Sequence, residues 1–319
     1  MFRRFKSFAV KGHLVVGSLF LLLCIISIAG CSAVSSIEKS TKRMVRDFKA
    51  PNSDLKKKVG ILLFENRTTL VNKDVGKKFI RDLSETIASS CPKILLEKPG
   101  DSGYPDALAR VPRTRFGYID NLALARTGRQ LGLNAIVTGA LMTIAPNKRK
   151  QGFWWLKDTH YFVQVRIAAE VYDTETGAKL LDESFVHEVE VEEMDLESIH
   201  TGGEMNASVA NAAFRAIADE MGEKICNAII IQPWKGFITS VTADKINLDF
   251  GGKIGLKIGD LFDVFDSNSI FEGLEGHRFF IPGAKTGEIK ITAVHPDTAE
   301  AILVSGHDIQ SGFCVQPKE

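Results

Sequence analysis

The sequence has almost no net charge, and this limits the partners it can have. Its formal charge is +1, and the four cations Arg3, Arg4, Lys6 and Lys11 stand in a segment without acids. Without those four, the remaining chain is near −3. A weakly acidic chain lacks the basic surface that nucleic acids require, so we expect no nucleic-acid partner.

The sequence also lacks the motifs of the common catalytic and metal sites. It contains no GxSxG, CxxC or HExxH pattern, and its seven histidines are scattered. "VGKKF" (75–79) has no upstream glycine, and "GGKIGLKIGD" (251–260) lies between predicted β segments instead of before a helix. We therefore predict a protein that is not an enzyme and has no catalytic residue, metal, cofactor or small-molecule substrate.

Long apolar runs are absent except near the N-terminus. Leu14–Ile28 is almost unbroken apolar sequence, with a basic flank before it and a small-residue pair after it. This pattern indicates a secretory signal peptide over residues 1–30. An uncleaved membrane helix is the alternative, although a span needs about 20 apolar residues and this run is shorter.

The end of this run resembles the bacterial lipobox, with Ile28, Ala29 and Gly30 before Cys31. The resemblance implies that Cys31 is acylated and becomes the N-terminus of the mature chain. Its acyl chains would hold the protein on a bilayer, since each buried methylene contributes about 0.8 kcal/mol. Ser32 follows the cysteine, which implies the periplasmic face of a Gram-negative outer membrane. We expect a polar tether over residues 31–58.

Cysteine is scarce, so disulfides are limited. Of five cysteines, Cys24 lies in the signal segment and Cys31 is the predicted lipidation site. At most one bridge can form among Cys91, Cys226 and Cys314. Cys91 and Cys226 each end a predicted helix, and the periplasm permits oxidation, so these two are the candidate pair. Small buried free thiols are the alternative.

Residues 59–232 show the alternation of an α/β (α+β) domain. We predict strands at Lys58–Phe64, Lys93–Lys98 and Ala135–Ile144, and a hairpin of Tyr161–Asp173 and Lys179–Glu192 turning at Thr174–Gly177. We predict three helices, at Val75–Cys91, at Asp120–Gly132 and at Met205–Ile230. Asn72 or Asp74 is the predicted cap of the first helix. The last has an apolar stripe of Ala210, Phe214, Ile217, Met221, Ile225 and Ala228, typical of a core-facing helix.

Residues 233–319 have a different pattern, with short strands between glycine-rich turns. "GFITSV" is echoed by "GEIKITAV" about 50 residues later, and "IGDLFDV" by "IQSGFCV". The pattern predicts a small all-β, barrel-like domain made of two similar halves. We place the domain boundary at Gln232–Lys235.

His187–Glu197 carries six acids in eleven residues. Its alternation predicts a strand with one buried and one solvated acidic face. A site for a cation or a basic partner is the alternative.

The connection "NKRKQGFWWLK" (147–157) is the candidate partner-binding segment. Two adjacent tryptophans on an extended chain point to opposite sides, so a single core does not bury both. An exposed aromatic beside cations indicates either a protein hot spot or a loop at lipid-headgroup level. The alternative is that one tryptophan covers the edge of the core. The candidate residues are Lys148, Arg149, Lys150, Phe153, Trp154 and Trp155.

The first domain resembles the periplasmic fold of TolB N-terminal domains, curli-secretion-channel lipoproteins and lipoprotein activators of penicillin-binding proteins. The similar stretches are Val59–Thr68, Gly132–Gly139 and Tyr172–Gly177. The tail, with Gly255–Asp260 and Lys285–Ile289, resembles the C-terminal domain of flagellar assembly protein T. These resemblances imply periplasmic protein partners and a ring-type homo-oligomer.

Together the patterns favour a scaffold or assembly subunit at the flagellar basal-body periphery. A regulator of a peptidoglycan synthase and a curli-type secretion component are the alternatives. We expect no pore, because Pro146–Thr159 is predicted to be a short basic loop, and a membrane strand needs roughly 9–11 residues.

Overall fold

The computed structural model describes residues 54–68, 75–200, 206–242, 245–273 and 277–318, which belong to one compact unit spanning residues 50–319. The predicted signal peptide, the lipobox with Cys31, most of the tether and the caps at Asn72 or Asp74 lie outside the described residues. No helix among the described residues is long and apolar enough to cross a membrane.

A mixed sheet of six strands forms the centre of the first half. The strands are β1 (Lys57–Ile61), β2 (Glu65–Asn66), β3 (Ile94–Glu97), β4 (Ala135–Phe153), β5 (Leu156–Asp173) and β6 (Lys179–Val191). The main path of the sheet runs β3-β1-β4-β5-β6, and β2 pairs with β4. β1 is parallel to β3 and β4, whereas β4, β5 and β6 form an antiparallel meander.

Four α-helices accompany the sheet. They are α1 (Val75–Ser90), α2 (Asn121–Gln130), α3 (Glu193–His200) and α4 (Ala207–Ile230). α1 and α4 cover one face, where Leu83, Phe214 and Met221 share a core with alternate residues of β5 such as Val165 and Ile167. The predicted apolar stripe of α4 is confirmed from Ala210 to Ile225, whereas Ala228 does not belong to this core and Ile229 does.

Sequence signals at both ends of α2 are confirmed. The carboxylate of Asp120 accepts a hydrogen bond from the backbone N–H of Ala123, 3.0 Å away, as an N-cap does. Gly132 follows the helix with φ +62°, the left-handed conformation that glycine adopts most easily. α2 lies on the other face of the sheet, where Leu108, Leu124 and Ile136 form a smaller core.

The ends of α1 and α4 lie side by side at the candidate cysteine pair. Cys91 follows the last residue of α1 and is joined to Cys226 of α4 in a disulfide, with Cα atoms 6.2 Å apart. Cys314 is a free, buried thiol of the second half.

The second half contains a closed barrel of six strands, in agreement with the predicted barrel. The strands are β7 (Gly236–Val241), β8 (Ile246–Leu248), β9 (Leu261–Phe265), β12 (Lys285–Val294), β13 (Ala299–Gly306) and β14 (Cys314–Pro317). Their cyclic order is β12-β13-β8-β7-β14-β9. If β7, β8 and β9 change places with β12, β13 and β14, the same cyclic order results, read in the opposite direction. This symmetry is what a barrel made of two similar halves requires. A separate hairpin is formed by β10 (Ile270–Glu272) and β11 (Arg278–Phe280).

A buried ionic contact joins the β5–β6 turn to the start of the barrel. The ammonium of Lys235, 3% exposed, binds the carboxylates of Asp173 and Glu175. The guanidinium of Arg129 donates to the carbonyl oxygens of Thr174 (3.0 Å) and Ser267 (2.8 Å) and stacks on the Phe280 ring. The two halves therefore meet through desolvated polar groups.

Two predicted boundaries are wrong. β4 continues to Phe153 and β5 begins at Leu156, so Pro146–Thr159 is a long hairpin and not a short loop. The strand pattern there is hidden because both faces meet water and show no apolar alternation. The length of this segment therefore does not exclude a hairpin that inserts into a membrane. The acidic segment is a strand only to Val191, after which Glu193–His200 is helical.

Candidate functional site

The extended β4–β5 hairpin projects beyond the rest of the sheet. β6 ends at Val191, which pairs with Tyr161, and Tyr161 in turn pairs with Lys148 of β4. For five further residue pairs, up to Phe153 and Leu156, the described residues provide no third strand. At about 3.3 Å per residue they extend roughly 16 Å. We call residues 148–161 the arm.

The end of the arm is aromatic and faces water. Phe153, Trp154 and Trp155, which we call the tip, are 83%, 74% and 76% exposed. Neither tryptophan covers the edge of the core. The expectation that they point apart fails because they occupy the turn, where their ring centroids lie 4.9 Å apart.

The backbone conformation of this turn disfavours tryptophan. Trp154 has φ +51°, a conformation that glycine, asparagine or aspartate normally supplies in a two-residue hairpin turn. A bulky residue held there costs on the order of 1–3 kcal/mol, and such strain is concentrated at functional sites. The indole is therefore placed in water at an energetic cost to the fold.

One face of the arm is cationic. Residues paired directly across two strands share a face, so the pairs Lys148–Tyr161, Lys150–Thr159 and Gly152–Lys157 place three ammonium groups together. Further down the hairpin the same face is apolar and packs under α4, through residues such as Val163. None of the ion pairs among the described residues involves these three lysines.

On the opposite face, Arg149 and His160 contact acids of β6. Arg149 donates to both carboxylate oxygens of Glu188, at 2.5 and 2.7 Å, and lies 5.1 Å from the centroid of the Phe162 ring. His160 and Glu190 are 2.6 Å apart. Of the predicted cations, Lys148 and Lys150 are thus available to a partner, whereas Arg149 braces the base of the arm.

A second candidate is a cleft of about 440 Å³ on the sheet face away from α1 and α4. Glu65 accepts hydrogen bonds from Arg67 (2.8 Å) and from Arg113. Partial burial raises the pKa of Glu65, but the two guanidinium groups outweigh it and leave the pKa below its usual value. This cleft leaves no recognisable pattern in the sequence, because its charged residues come from separate segments.

The other charges of the cleft are also paired internally. The Tyr172 hydroxyl donates to Glu170 at 2.8 Å, and Lys179 donates to the same carboxylate at 2.7 Å. The part of the chain that the structure describes holds no group of three His, Cys, Asp or Glu side chains placed to bind a metal ion. The arm is therefore the stronger candidate, because its tip is exposed and its three lysines take part in none of the ion pairs among the described residues.

Comparisons with known proteins give distant structural likenesses. No protein-family model matches the chain, and no curated protein sequence matches it. Lipoprotein GNA1162 from Neisseria meningitidis is 10% identical, covers 52% of this chain and 99% of its own, and has a TM-score of 0.29. The PelC dodecamer from Paraburkholderia phytofirmans is 15% identical over 54% of this chain and 91% of its own, with a TM-score of 0.28. TolB from Acinetobacter baumannii is 11% identical over 81% of this chain and 62% of its own, with a TM-score of 0.27.

Proposed function

We propose that this protein is a lipid-anchored, non-enzymatic scaffold of the bacterial envelope and that the arm is its contact element. The observation that carries the proposal is the exposure of Phe153, Trp154 and Trp155 at the end of a projecting hairpin. Fully burying one such side chain gains about 1.5–3 kcal/mol, so a tip left in water has most to gain from contact.

The anchor and the address come from the N-terminal sequence. Ile28-Ala29-Gly30-Cys31 supports acylation of Cys31, and Ser32 supports the periplasmic face of the outer membrane. The polar residues between Cys31 and β1 then act as a tether between the lipid and the folded body, which is shorter than the predicted 31–58 because Lys57 and Lys58 belong to β1.

The flagellar basal-body periphery is the leading location. It is supported by the likeness of Gly255–Asp260 and Lys285–Ile289 to flagellar assembly protein T, in a segment that folds as a closed barrel. A ring-type homo-oligomer there belongs to the same proposal.

A secretion component is the second candidate, and the length of the hairpin favours it. The charges of the arm oppose this role. A charge on a lipid-facing strand costs about 2–4 kcal/mol at mid-membrane, and Lys150, Lys157 and Asp158 lie within five pairs of the tip. We therefore assign the arm to surface contact and not to a pore.

The test is affinity capture of the lipidated chain from envelope membranes, together with motility. We expect flagellar ring components to be recovered. A variant with residues 149–160 replaced by Asn-Gly is expected to remain folded and anchored but to reduce motility. Phe116→Ala, at an aromatic residue 68% exposed on the body, is the matched control.

The outcomes separate the alternatives. Recovery of a penicillin-binding protein without flagellar components would support the peptidoglycan-synthase regulator. Normal motility of the shortened variant would contradict the contact role of the arm. A Cys31→Ser chain that is still acylated would contradict the anchor.

A further inference from the structure

We infer that the tip enters the headgroup layer of an anionic membrane surface, with the three lysines of the arm next to lipid phosphates. This inference rests on the proposed function, in which the arm is the contact element, and it names what the arm contacts. The arm combines an amphipathic aromatic end with a cationic face, and both suit a layer of anionic headgroups.

The shape of the arm favours a fluid surface over a protein groove. A stable protein interface buries about 800 Å² on each partner, and its hot spots lie within a ring of further contacts. The tip has three aromatic side chains at the end of a two-stranded finger, and the strands beside it are exposed and polar. A headgroup layer adapts to such a finger without a matching surface.

The residue types fit the same occupant. Tryptophan is enriched at membrane–water interfaces, because its ring is apolar and its N–H stays hydrated. Lys148, Lys150 and Lys157 share one face of the arm, and lysine reaches phosphates while its methylenes cover apolar surface. Each lysine near an anionic surface contributes about fivefold in affinity.

The distribution of acids sets the direction of approach. Asp158 is the one acid between Lys148 and Tyr161, whereas four further acids, Glu192, Glu193, Asp195 and Glu197, follow β6 at the base of the arm, where Glu193 accepts a hydrogen bond from the Tyr161 hydroxyl. An anionic surface attracts the end of the arm and repels its base. The arm therefore meets the membrane end-on, and the body stays in water.

The three tryptophans of the chain allow a direct test. Trp154 and Trp155 are at the tip, and Trp234 is 3% exposed inside the barrel, where it serves as an internal reference. The full chain, purified with its lipid, is reconstituted in phosphatidylcholine vesicles with or without phosphatidylglycerol, using lipids brominated near the headgroup. Tryptophan fluorescence then reports the depth of the tip, independently of the anchor.

We expect quenching by the brominated lipid in anionic vesicles, less in neutral vesicles and less at high salt. The double variant Trp154→Phe, Trp155→Phe should emit only from Trp234, and the brominated lipid should not quench that emission. The triple variant Lys148→Glu, Lys150→Glu and Lys157→Glu should lose most of the quenching.

A charge-matched control keeps the result interpretable. Lys93→Glu, Lys257→Glu and Lys290→Glu change three exposed lysines of the body and should quench as the unaltered chain does. Circular dichroism checks that each variant folds.

Three results would overturn the inference. The first is equal quenching of the tip tryptophans in neutral and anionic vesicles. The second is quenching of these tryptophans by dissolved iodide but not by the brominated lipid. The third is protection of the tip from iodide only when a protein partner is added. The mass of the N-terminal peptide reports acylation of Cys31 separately, so failure of the anchor and failure of the tip inference are distinguishable.

Discussion

At the scale of single residues, the buried ammonium of Lys235 has the largest predicted effect on stability. Burial alone lowers its pKa, but Asp173 and then Glu175 outweigh this and raise the pKa above the usual lysine value. The ion pair is therefore intact at neutral pH. Removing one member of such a buried group leaves the other charges without a partner.

We predict that Lys235→Met lowers the free energy of unfolding by about 3–5 kcal/mol. Lys179→Met is the control, because Lys179 also binds two carboxylates but its side chain is 40% exposed, and such pairs contribute about 0.2–1 kcal/mol. Urea unfolding measures both. Equal losses in the two variants would contradict the role of Lys235.

Lys57 gives a pH-dependent prediction. Its ammonium donates to the carbonyl oxygens of Ile229 (2.8 Å) and Ile230 (2.9 Å) at the end of α4. Burial, followed by the charges of Lys235 and Lys93, lowers the pKa of Lys57 from 10.5 to about 8. Between these two values the unfolded chain binds more protons than the folded one, so this group makes stability rise with pH.

The measurement is the difference in unfolding free energy between the unaltered chain and Lys57→Gln from pH 7 to 10. We expect the unaltered chain to gain on the order of 2–3 kcal/mol relative to the variant over this range. Because other titrating groups are common to both chains, they cancel. Parallel curves would show that the pKa of Lys57 is not lowered.

At the scale of elements, the end of α2 combines a helix stop with a contact between the two halves. Gly132 has φ +62°, and a Cβ there would overlap the backbone carbonyl of Asp249 at the barrel. Gly100 also has positive φ (+97°), but a Cβ there would meet nothing within 4 Å.

We predict that Gly132→Ala destabilises the fold by about 3 kcal/mol or more, since overpacking adds to backbone strain. Gly100→Ala should cost about 1–2 kcal/mol from strain alone. Thermal and urea unfolding of the pair separate the two effects. A Gly132→Ala loss no larger than that of Gly100→Ala would exclude the contact.

The link between α1 and α4 gives a second prediction at this scale. In the denatured but unreduced mature chain, we expect a thiol reagent to modify only Cys314. After reduction, we expect it to modify three cysteines, because Cys91 and Cys226 are then free. Reduction should lower stability by up to about 4–5 kcal/mol, because the bridge closes a long loop. Three reactive thiols before reduction would show that Cys91 and Cys226 are not joined.

Elements with strong local signals could be predicted from sequence, and the rest depended on distant partners. The stripe of α4 and the cap at Asp120 are set by neighbouring residues. The arm was missed because its strands are held by cross-strand hydrogen bonds with both faces in water. Lys235 was missed because its partners are about 60 residues away and charged residues are rarely buried.

At the scale of the whole molecule, the buried contacts of Lys235, Arg129 and Gly132 join the α/β part and the barrel into one compact unit. The arm projects from the sheet of this unit. In the proposed role, the tether keeps this body near the membrane, and its projecting aromatic and cationic end contacts the surface.

Photocrosslinking in cells tests most directly whether the tip contacts the membrane. A photoreactive amino acid replaces Trp155 at the tip (76% exposed), or replaces Phe116 on the body (68% exposed) as the control. The account predicts adducts with envelope phospholipid from position 155 that position 116 does not give. If position 155 gives no adduct beyond those of position 116, the tip remains in water and the arm is not the contact element.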